Sequence, residues 1–577
     1  MLPAAPFLLF DDAREGGAPG RLYAPPIHSL EAWRPDEIAP LLQDVRAALA
    51  AGRHAAGFLS YEAAVAFEPS VPDRDRQTPL AWFGLFDGYA TVDPPSLLPD
   101  LAGAWVGPPC PRVDYAAYAA MFEEVQALIA AGDIYQANLT FRADVPFAGD
   151  THALYTRLRA SARSGWGALV ETGRDTLLSF SPELFFKLEA DALTCRPMKG
   201  TARRLTDPIA DLGAAHALGT DAKQRAENLM IVDLMRNDLS RVAASGSVAV
   251  PELFAVESYP SVHQLTSTVT AELAPGKDAL DVLAALFPCG SITGAPKVRA
   301  MQAIAGIEPD PRGPYSGAIG WLDPNGDAQF NVAIRTLLIR GEESRAVMGL
   351  GGGIVADSTA ASEWDEAHAK GAFVTHDPPR FDLIETMAFD PDEGIALLDR
   401  HFARMRDSAE TLGFAFDRHD ARNELQAATF HLRRPAKVRL LLAPTGALAV
   451  EVAALPPARD RMSARLAPLP VGAADVRLRH KTSDRRCYAA DGAGVDEVIF
   501  LDPAGFVTEG SYTSVFVNRD GHLLTPPLAR GLLPGVLRAE LIATGRVREA
   551  DLIAADLSDG FLLGNALRGL VPAVLAP

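Results

Sequence analysis

Lysine, glycine and arginine occur together in one segment where a lysine could act as a nucleophile. Lys199 stands in Pro197-Met198-Lys199-Gly200-Thr201, where Pro-Met favours the end of a strand and Gly-Thr favours a tight turn. A half-buried ammonium there would have a lowered pKa, and Arg203 and Arg204 would lower that pKa further. The free amine could then attack a substrate. A solvated lysine on a turn is the simpler alternative.

Two glutamates stand where a carboxyl group could work as an acid or as a ligand. Glu183 follows Ser181-Pro182 at a proline-marked break between strands, where it could be a general acid or a solvated turn residue. Glu227 lies on a predicted helix, 226–241, at the rim of an apolar stripe. A carboxylate near a helix start also stabilises the helix dipole, so Glu227 has a structural alternative as well.

A second helix contains three charged residues on one face. Glu363, Glu366 and Lys370 follow one another at spacings of three and four residues. They could form an ordinary surface ladder of charges. With Glu227 opposite them, they could instead form a magnesium site, because hard cations prefer oxygen ligands.

Two glycine-containing segments could bind an anion or a substrate. Gly290–Lys297 precedes a predicted helix, and its hydroxyls, glycines and helix-start amides suit a carboxylate. The segment lacks the Gly-Lys-Ser/Thr spacing of a phosphate-binding P-loop, so we do not expect a nucleotide. Gly349–Val355 would let the backbone approach a ligand closely. His263, after Tyr259-Pro260-Ser261-Val262, could line a pocket or be structural.

The second half of the chain contains the parts of a pyridoxal phosphate site. Such a site needs a lysine to bond the cofactor, an acid for its pyridine nitrogen, and an arginine with helix-start amides for its phosphate. The residues that supply these parts are Lys481, Glu509, Arg404, Val536 and Leu537. Each of them alone would be explained as a surface charge or a plain turn.

Composition excludes several classes of function. The 577 residues have a net charge of −19, which argues against nucleic acid and anionic membranes as partners. The four cysteines are far apart, so neither a disulfide framework nor a zinc site is indicated. The first residues lack the basic region of a signal peptide, and no apolar run is long enough to span a membrane. We expect a soluble, cytoplasmic protein.

The chain divides into two predicted domains. Residues 1–375 form the first, with an N-terminal part at 1–110 and the motif-bearing core at 111–375. A polar, proline-bearing segment, 375–380, marks the boundary, and residues 381–577 form the second domain.

Local patterns predict several elements that would position these residues. Helices are expected at 35–51 and 397–412, and strands at 315–320 and 332–336. The proline-rich stretch 94–111 is expected to be a linker or a long surface loop.

Six ordered motifs of the first domain together resemble those of the chorismate-utilising enzymes, most closely the aminodeoxychorismate synthase branch. These motifs are Gly132–Thr140, Ser181-Pro182-Glu183, Pro197–Thr201, Ala226–Leu234, Gly290–Lys297 and Ser362–Glu366. The resemblance implies an α/β (α+β) fold, in which a sandwich of two large antiparallel sheets is flanked by helices.

The resemblance also implies roles for individual residues. Glu183 would protonate the departing C4 hydroxyl of chorismate. Glu227 and Glu366, with Glu363 behind them, would bind Mg²⁺, which would bridge to a chorismate carboxylate. The residues that would bind the substrate are Gln136, His263, Thr293, Gly294, Tyr315, Arg335, Gly351, Gly353 and Lys370.

A lysine at position 199 resembles the mark of the aminodeoxychorismate branch, because anthranilate synthases have alanine there. Lys199 would attack C2 of chorismate as the C4 hydroxyl leaves, and ammonia would then enter at C4 and expel the lysine. No Gly-x-Cys-x-Gly segment of a glutaminase is present. Ammonia would therefore come from solution or from a separate glutamine amidotransferase subunit.

Residues 381–576 resemble the fold-type IV aminotransferases, particularly aminodeoxychorismate lyase, with a two-subdomain α/β fold. Ser514 departs from the family, where many members have asparagine. The two halves together would convert chorismate into 4-aminobenzoate, a folate precursor, and this fold often forms homodimers. One alternative is an anthranilate synthase with an attached branched-chain or D-amino-acid aminotransferase. Another is a catalytically silent second half that serves dimerisation or docking.

Overall fold

The protein forms two compact units. The computed structural model describes residues 2–258, 262–341, 343–376, 380–489, 492 and 494–576. The first unit comprises the described residues within 1–98, 108–146 and 155–377. The second comprises those within 99–107, 147–154 and 378–577. The predicted boundary segment includes residues 377–379, which lie outside the described residues.

Two antiparallel sheets form the first unit. The strand order of the first sheet is Gly294–Ala295, Gln136–Gly149, Arg345–Ile354, Thr336–Arg340, Asp175–Ser181, Trp166–Glu171, Phe7–Asp11, Gly20–Tyr23 and Ala90–Val92, with Cys110–Pro111 also paired to Gln136–Gly149. The second has the order Met198–Arg203, Val262–Glu272, Ala192–Arg196, Leu184–Glu189, Ala328–Val332, Ala318–Leu322, His54–Leu59, Ala81–Phe86 and His28–Ala32, with Ala249–Ser258 also paired to Val262–Glu272. The expected pair of large antiparallel sheets is confirmed.

The sheets pack face to face and helices cover them. Leu8 and Leu177 of the first sheet share a buried cluster with Phe58, Trp82 and Ile319 of the second. A larger cluster joins the other face of the second sheet to its helices. The helices up to residue 376 are Pro35–Ala50, Ala64–Phe67, Pro94–Leu97, Tyr115–Ala130, Thr151–Ala162, Pro208–Thr220, Ala222–Ser240, Ala279–Leu286, Lys297–Ile307 and Ala360–Gly371.

One predicted strand is wrong for a physical reason. The stretch 332–336 was expected to be continuous, but Val332 ends a strand of the second sheet and Thr336 begins a strand of the first. Arg335 between them has a φ of 49°. The chain therefore changes sheets there through a left-handed residue that an extended strand cannot contain.

The expected linker 94–111 is structured. Its residues include the helix Pro94–Leu97 and the strand Ala104–Val106, and that strand pairs antiparallel with residues 147–149. Trp105 is 9% exposed and packs with Leu383 and Phe402 in the core of the second unit. The proline content predicted a loop, but the burial of Trp105 in this core holds the segment in a regular structure.

The second unit contains two further sheets. The smaller one is antiparallel, with the order Gly394–Ile395, Leu383–Asp390, Ala436–Leu442 and Leu448–Ala454. The larger one is mixed, with the order Val507–Gly510, Glu497–Leu501, Met462–Pro468, Gly569–Leu575, Phe561–Asn565, Ser514–Arg519, His522–Thr525 and Val547–Glu549. Its helices are Leu398–Leu412, Arg418–Thr429, Val476–Arg479 and Val536–Ala543. The helix predicted at 397–412 is present with nearly the expected bounds.

Among the described residues, no helix is both long enough and apolar enough to cross a lipid bilayer. All four cysteines are free thiols, and only Cys110 is exposed.

A buried ion pair joins three segments of the first unit. Arg312 and Glu308 are 2% and 3% exposed, and the Arg312 guanidinium donates to both Glu308 carboxylate oxygens at 2.9 and 2.7 Å. Arg312 also donates to the carbonyl oxygens of Ile292, at 2.9 Å, and Asn138, at 2.5 Å. Glu308 accepts the Thr140 backbone N–H at 2.7 Å. These bonds hold the strand Gln136–Gly149 beside the segment that begins at Gly290.

Removal of Arg312 should destabilise the first unit. In Arg312→Leu the Glu308 carboxylate stays buried without its cation, so the free energy of unfolding should fall by about 3–5 kcal/mol. Urea unfolding followed by tryptophan fluorescence measures this, because five of the six tryptophans lie in the first unit. Arg236→Leu breaks an exposed ion pair with Asp233 and should change the free energy of unfolding by less than about 1 kcal/mol. Equal effects of the two substitutions would contradict the prediction.

Candidate active sites

Lys199 lies on a β-bulge rather than before a turn. The strand Met198–Arg203 pairs with Val262–Glu272, and its register shifts between Met198 and Thr201. Gly200, inside this irregular stretch, has a φ of 97°, which favours glycine. The expected tight turn at Gly200-Thr201 is therefore wrong: the strand continues, and the bulge re-aims the lysine side chain.

The Lys199 amine lies against the glycine backbone of the opposite sheet. A Cβ atom built on Gly353 would overlap Lys199 Nζ, and one built on Gly352 would lie 3.3 Å from Lys370 Nζ and 3.2 Å from Glu363 Oε2. Glycines 352 and 353 thus leave the space that these charged groups occupy. The backbone of 349–355 was predicted to approach a ligand closely; in the structure, side chains of the protein lie against it.

The surroundings of Lys199 favour its neutral amine. Burial lowers the pKa of Lys199, and the Lys370 ammonium lowers it further, while the carboxylates of Glu227, Glu366 and Glu363 act in the opposite direction. The net pKa is below the usual lysine value. The neutral, nucleophilic form of Lys199 is therefore more populated at neutral pH than it is for an ordinary lysine.

The helix Ala360–Gly371 brings its charged face to this site. Lys370 Nζ lies 2.8 Å from Glu366 Oε1 and donates to the Gly351 carbonyl oxygen at 3.0 Å. Glu363 accepts a hydrogen bond from Ser358 Oγ at 2.7 Å. Burial raises the pKa of Glu363, whereas the Lys370 ammonium lowers the pKa of Glu366. Glu363, Glu366 and Lys370 thus share one helix face, as expected. That face is directed towards Lys199.

The chemistry of these carboxylates fits a hard dication. Glu227, on the helix Ala222–Ser240, has a pKa raised by burial and by the negative charges of Glu363 and Glu366. A bound Mg²⁺ would relieve that repulsion. Within the described ranges, however, no three acidic, histidine or cysteine groups converge into a ready-made metal site. Mg²⁺ would need ligands from water or substrate as well, as is usual for this ion.

Glu183 is a buried carboxyl group whose affinity for a proton is raised. It is 3% exposed and connects a strand of one sheet to a strand of the other, directly after Ser181 and Pro182. Ser291 Oγ donates to Glu183 Oε1 at 2.7 Å. Burial raises the pKa of Glu183 to about 7, although the Ser291 hydrogen bond and the Lys199 charge act against this shift. A solvated turn residue would not have this pKa. Sequence patterns did not single out Ser291.

Gln136 and the segment Gly290–Lys297 form one wall of the site. Gly294 and Ala295 pair with Ala137 and Gln136 of the neighbouring strand. Thr293 is fully buried, and its Oγ1 donates to the Cys289 carbonyl oxygen at 2.8 Å. The Thr293 hydroxyl is therefore already bonded within the segment. A ligand in the predicted cradle would be bound by backbone groups instead.

The other expected substrate-binding residues have different environments. His263 is buried, with Nε2 3.0 Å from Asp211 Oδ1 and Nδ1 2.8 Å from Ser258 Oγ, so both ring nitrogens are engaged by protein. The preceding residues 259–261 lie outside the described residues. The Tyr315 ring fills the space beside Gly349. Arg335 is half buried, and its carbonyl oxygen accepts the Phe180 backbone N–H at 3.0 Å.

The second unit has a cavity of about 330 Å³ that contains the other predicted residues. Its lining includes Lys481, Glu509, Arg404, Val536 and Leu537. Sequence reasoning missed further polar residues of the lining, because they lie on separate strands and loops; these include Thr386, Lys437, Arg439, Arg485, Tyr512, Thr513, Asn565 and Arg568.

Burial prepares one base and one acid in this cavity. Burial and, next, the Arg404 guanidinium lower the pKa of Lys481 to about 7. Burial raises the pKa of Glu509 to about 7, against the hydrogen bonds that Tyr488 Oη donates at 2.7 Å and the Leu533 backbone N–H donates at 3.0 Å. A nucleophilic amine and a proton-holding carboxyl therefore line the same cavity.

The proposed phosphate side of the cavity is organised by another carboxylate. Arg404 donates to Glu385 through Nε at 2.8 Å and Nη2 at 2.6 Å, and to the Pro534 carbonyl oxygen through Nη1 at 3.1 Å. One N–H on each terminal nitrogen remains for a ligand. Burial alone would raise the pKa of Glu385, but Arg404 and His401 lower it to about 2. The arginine is thus fixed in place.

The remaining features of the cavity fit pyridoxal phosphate. No side chain caps the helix Val536–Ala543, so its first backbone N–H groups are left to bind an anion. His401 Nε2 lines the cavity and is buried without a hydrogen-bond partner among the described residues. Ser514 Oγ lies beside Gly535, close to this helix start. Serine, where many members of the family have asparagine, therefore places a hydroxyl on the proposed phosphate side.

Two protein families match the chain. The family described as chorismate binding enzyme matches residues 6–376, and the family described as amino-transferase class IV matches residues 382–575.

Individual relatives cover parts of the chain. Aminodeoxychorismate synthase component 1 of Salmonella typhimurium is 46% identical over 259 residues, which are 45% of this chain and 57% of that protein. Anthranilate synthase component 1 of Streptomyces coelicolor is 42% identical over 249 residues, or 43% and 48%. The crystal structure of anthranilate synthase component I from Streptococcus pneumoniae is 26% identical with a TM-score of 0.54, and the likeness covers 65% of this chain and 94% of that one. The chain spans about half the length of the curated relatives it matches.

The buried carboxyl of Glu183 should make stability depend on pH. Its pKa rises from an ordinary 4.5 to about 7 on folding, so the folded state binds the extra proton. The free energy of unfolding should therefore fall as pH rises from 4.5 to 7, by on the order of 3 kcal/mol relative to Glu183→Gln. Urea unfolding between pH 4.5 and 8 measures the difference. The exposed control Glu189→Gln should follow the wild type, and parallel curves for all three proteins would contradict the prediction.

Proposed function

The chain belongs to the family of chorismate binding enzymes, and from this premise we propose that it makes 4-aminobenzoate in two steps. The first unit would replace the C4 hydroxyl of chorismate by an amino group, giving 4-amino-4-deoxychorismate. The second unit would eliminate pyruvate from that product with pyridoxal phosphate. The match of the second half to amino-transferase class IV supports this assignment.

The position of Lys199 is the observation that carries the first step. Relatives named aminodeoxychorismate synthase and relatives named anthranilate synthase both align with this chain, so the family leaves the site of amination open. Lys199 has a lowered pKa and lies close enough to Glu183 for its charge to oppose the raised pKa of that carboxyl. A nucleophile beside a protonated acid suits a substitution in two stages.

These two residues divide one difficult substitution into two easier ones. The neutral amine of Lys199 forms a bond to C2 while the C4–O bond breaks, and Glu183 gives its proton so that the hydroxyl leaves as water. Ammonia then forms the C4–N bond. The C2–N bond breaks with its electron pair on Lys199, which becomes a neutral amine again, and Glu183 regains a proton from solvent.

The carboxylates opposite Lys199 would hold the substrate through a metal ion. Glu227, Glu363 and Glu366 would bind Mg²⁺, which supplies positive charge for a chorismate carboxylate. Lys370 is fixed between Glu366 and the Gly351 carbonyl oxygen, and it would add a second cation for the substrate.

The second step would use the residues of the cavity in the second unit. Pyridoxal phosphate, when bound, supplies an electron sink for the electrons released from the substrate. Lys481, with a pKa of about 7, would take the proton from C4, and pyruvate would leave from C3 as the ring becomes aromatic. Glu509 would hold the pyridine nitrogen, and Arg404 with the helix start at Val536 would hold the phosphate.

We propose a separate glutamine amidotransferase subunit as the source of ammonia. Two relatives of this chain are named aminodeoxychorismate synthase component 1, and this name suits an enzyme with more than one component. Ammonium salts should support the reaction of the pure chain, whereas glutamine should not. Glutamine-dependent activity of the pure chain would overturn this part of the proposal.

Replacement of Lys199 should abolish amination. In Lys199→Met, incubation with chorismate, Mg²⁺ and ammonium should form 4-amino-4-deoxychorismate at least about a thousandfold more slowly, because the covalent route is lost. Calorimetry should still detect chorismate binding. Lys187→Met is the matched control, since Lys187 is on the same sheet and pairs with the exposed Glu189. Full activity of Lys199→Met, or an ortho-amino product from the wild type, would refute the proposed amination.

Replacement of Lys481 should stop the reaction after the first step. The wild type with pyridoxal phosphate should absorb near the visible edge, and borohydride should fix the cofactor on Lys481. Lys481→Ala should lose both properties and accumulate 4-amino-4-deoxychorismate. Lys437 is the other lysine of residues 380–576, and Lys437→Ala should still be labelled at Lys481. A colourless wild type that borohydride does not label would favour a silent docking unit.

A further inference from the structure

Gln136 is a buried amide without a hydrogen-bond partner. Its side chain is fully buried, and neither Oε1 nor Nε2 is bonded to another group among the described residues. An unpaired amide in a protein interior is unfavourable, because it has lost its hydrogen bonds to water. Native structures satisfy almost all such groups, so an exception indicates a ligand that completes the hydrogen bonding.

The amide lies beside the nucleophile of the first site. A Cβ atom built on Gly353 would be 3.0 Å from Gln136 Nε2, and the same atom would overlap Lys199 Nζ. The amide of Gln136 and the amine of Lys199 therefore approach one point above the glycine backbone. In the proposed reaction, Lys199 bonds to C2, and a single ring atom, C3, separates C2 from C4. A group beside Lys199 can thus reach a molecule that attacks C4.

The chemistry of the amide selects among the reactants. A carboxylate has only acceptor atoms, so it could satisfy Nε2 but would leave Oε1 without a donor. Ammonia has three N–H donors and one lone pair. It can donate one N–H to Oε1 and keep the lone pair free for carbon, while Nε2 donates to an oxygen of the substrate. An ammonium ion has no lone pair, so the reacting molecule at this point is neutral ammonia.

We propose that Gln136 binds the attacking ammonia through Oε1 and directs its lone pair at C4. This inference rests on the proposed amination. The lone pair forms the C4–N bond, the ring electrons shift, and the C2–N bond breaks with its electron pair on Lys199. The new nitrogen on C4 is at first an ammonium group, which loses its extra proton to solvent. The Gln136 amide remains unchanged.

The test compares Gln136→Met with Gln302→Met in the full chain. Methionine keeps the length and the burial of the side chain but removes the acceptor oxygen. The KM for ammonium should rise at least about tenfold, as expected for one lost hydrogen bond. The KM for chorismate should change less than about threefold. Gln302 is half buried and its Nε2 donates to the Ser70 carbonyl oxygen at 3.2 Å, and its replacement should change neither constant.

A second variant separates binding from structure. Gln136→Glu keeps an acceptor oxygen, so its KM for ammonium should return to within about threefold of the wild type. Mass spectrometry after a quench without ammonium should still detect the chorismate-derived adduct on Lys199 in Gln136→Met. This readout should be unchanged because the adduct forms before ammonia is needed.

The possible results separate a failure of the Gln136 inference from a failure of the proposed amination. A KM for chorismate that rises while the KM for ammonium stays constant would overturn the inference and assign Gln136 to the substrate alone. A lower unfolding temperature with both constants raised would also overturn it, since Gln136 would then be structural. A wild-type chain that forms no Lys199 adduct and no 4-amino product would refute the proposed function itself, independently of Gln136.

Discussion

The contact between one lysine amine and a glycine backbone is the constraint on which the first site depends. Lys199 comes from one sheet and Gly353 from the other, and any side chain at residue 353 would occupy the space of the amine. The bulge at Gly200 aims the lysine into this space. Both sheets must therefore keep their register for the nucleophile to be placed, which links the chemistry to the packing of the whole unit.

Residues in local motifs could be predicted, but their contacts could not. Lys199 and Glu183 were identified because proline and glycine mark their positions along the chain. The bulge depends on pairing with a strand more than sixty residues later, so the local Gly-Thr pattern gave the wrong turn. Helical periodicity placed Glu366 and Lys370 on one face, whereas only the tertiary structure pairs Lys370 with the Gly351 carbonyl oxygen.

The remaining surprises have a common origin in long-range burial. Proline content predicted a linker at 94–111, but Trp105 contributes to a core whose other members lie some three hundred residues later. The ion pair of Arg312 and Glu308 joins segments that no single pattern connects. Gln136 is the converse case, since its motif was recognised but its lack of partners appears only when every neighbouring group is known. Such features depend on the complete set of contacts around a residue.

Burial prepares both candidate sites by acting in opposite directions on bases and acids. Loss of water disfavours charge, so it lowers the pKa of Lys199 and Lys481 and raises the pKa of Glu183 and Glu509. One physical cause thus favours the neutral form of the amine and the protonated form of the carboxyl in each unit. Glu385 is the informative contrast: it is equally buried, yet the guanidinium of Arg404 keeps it ionised. Which carboxyl can hold a proton is therefore decided by which one lacks a strong cationic partner.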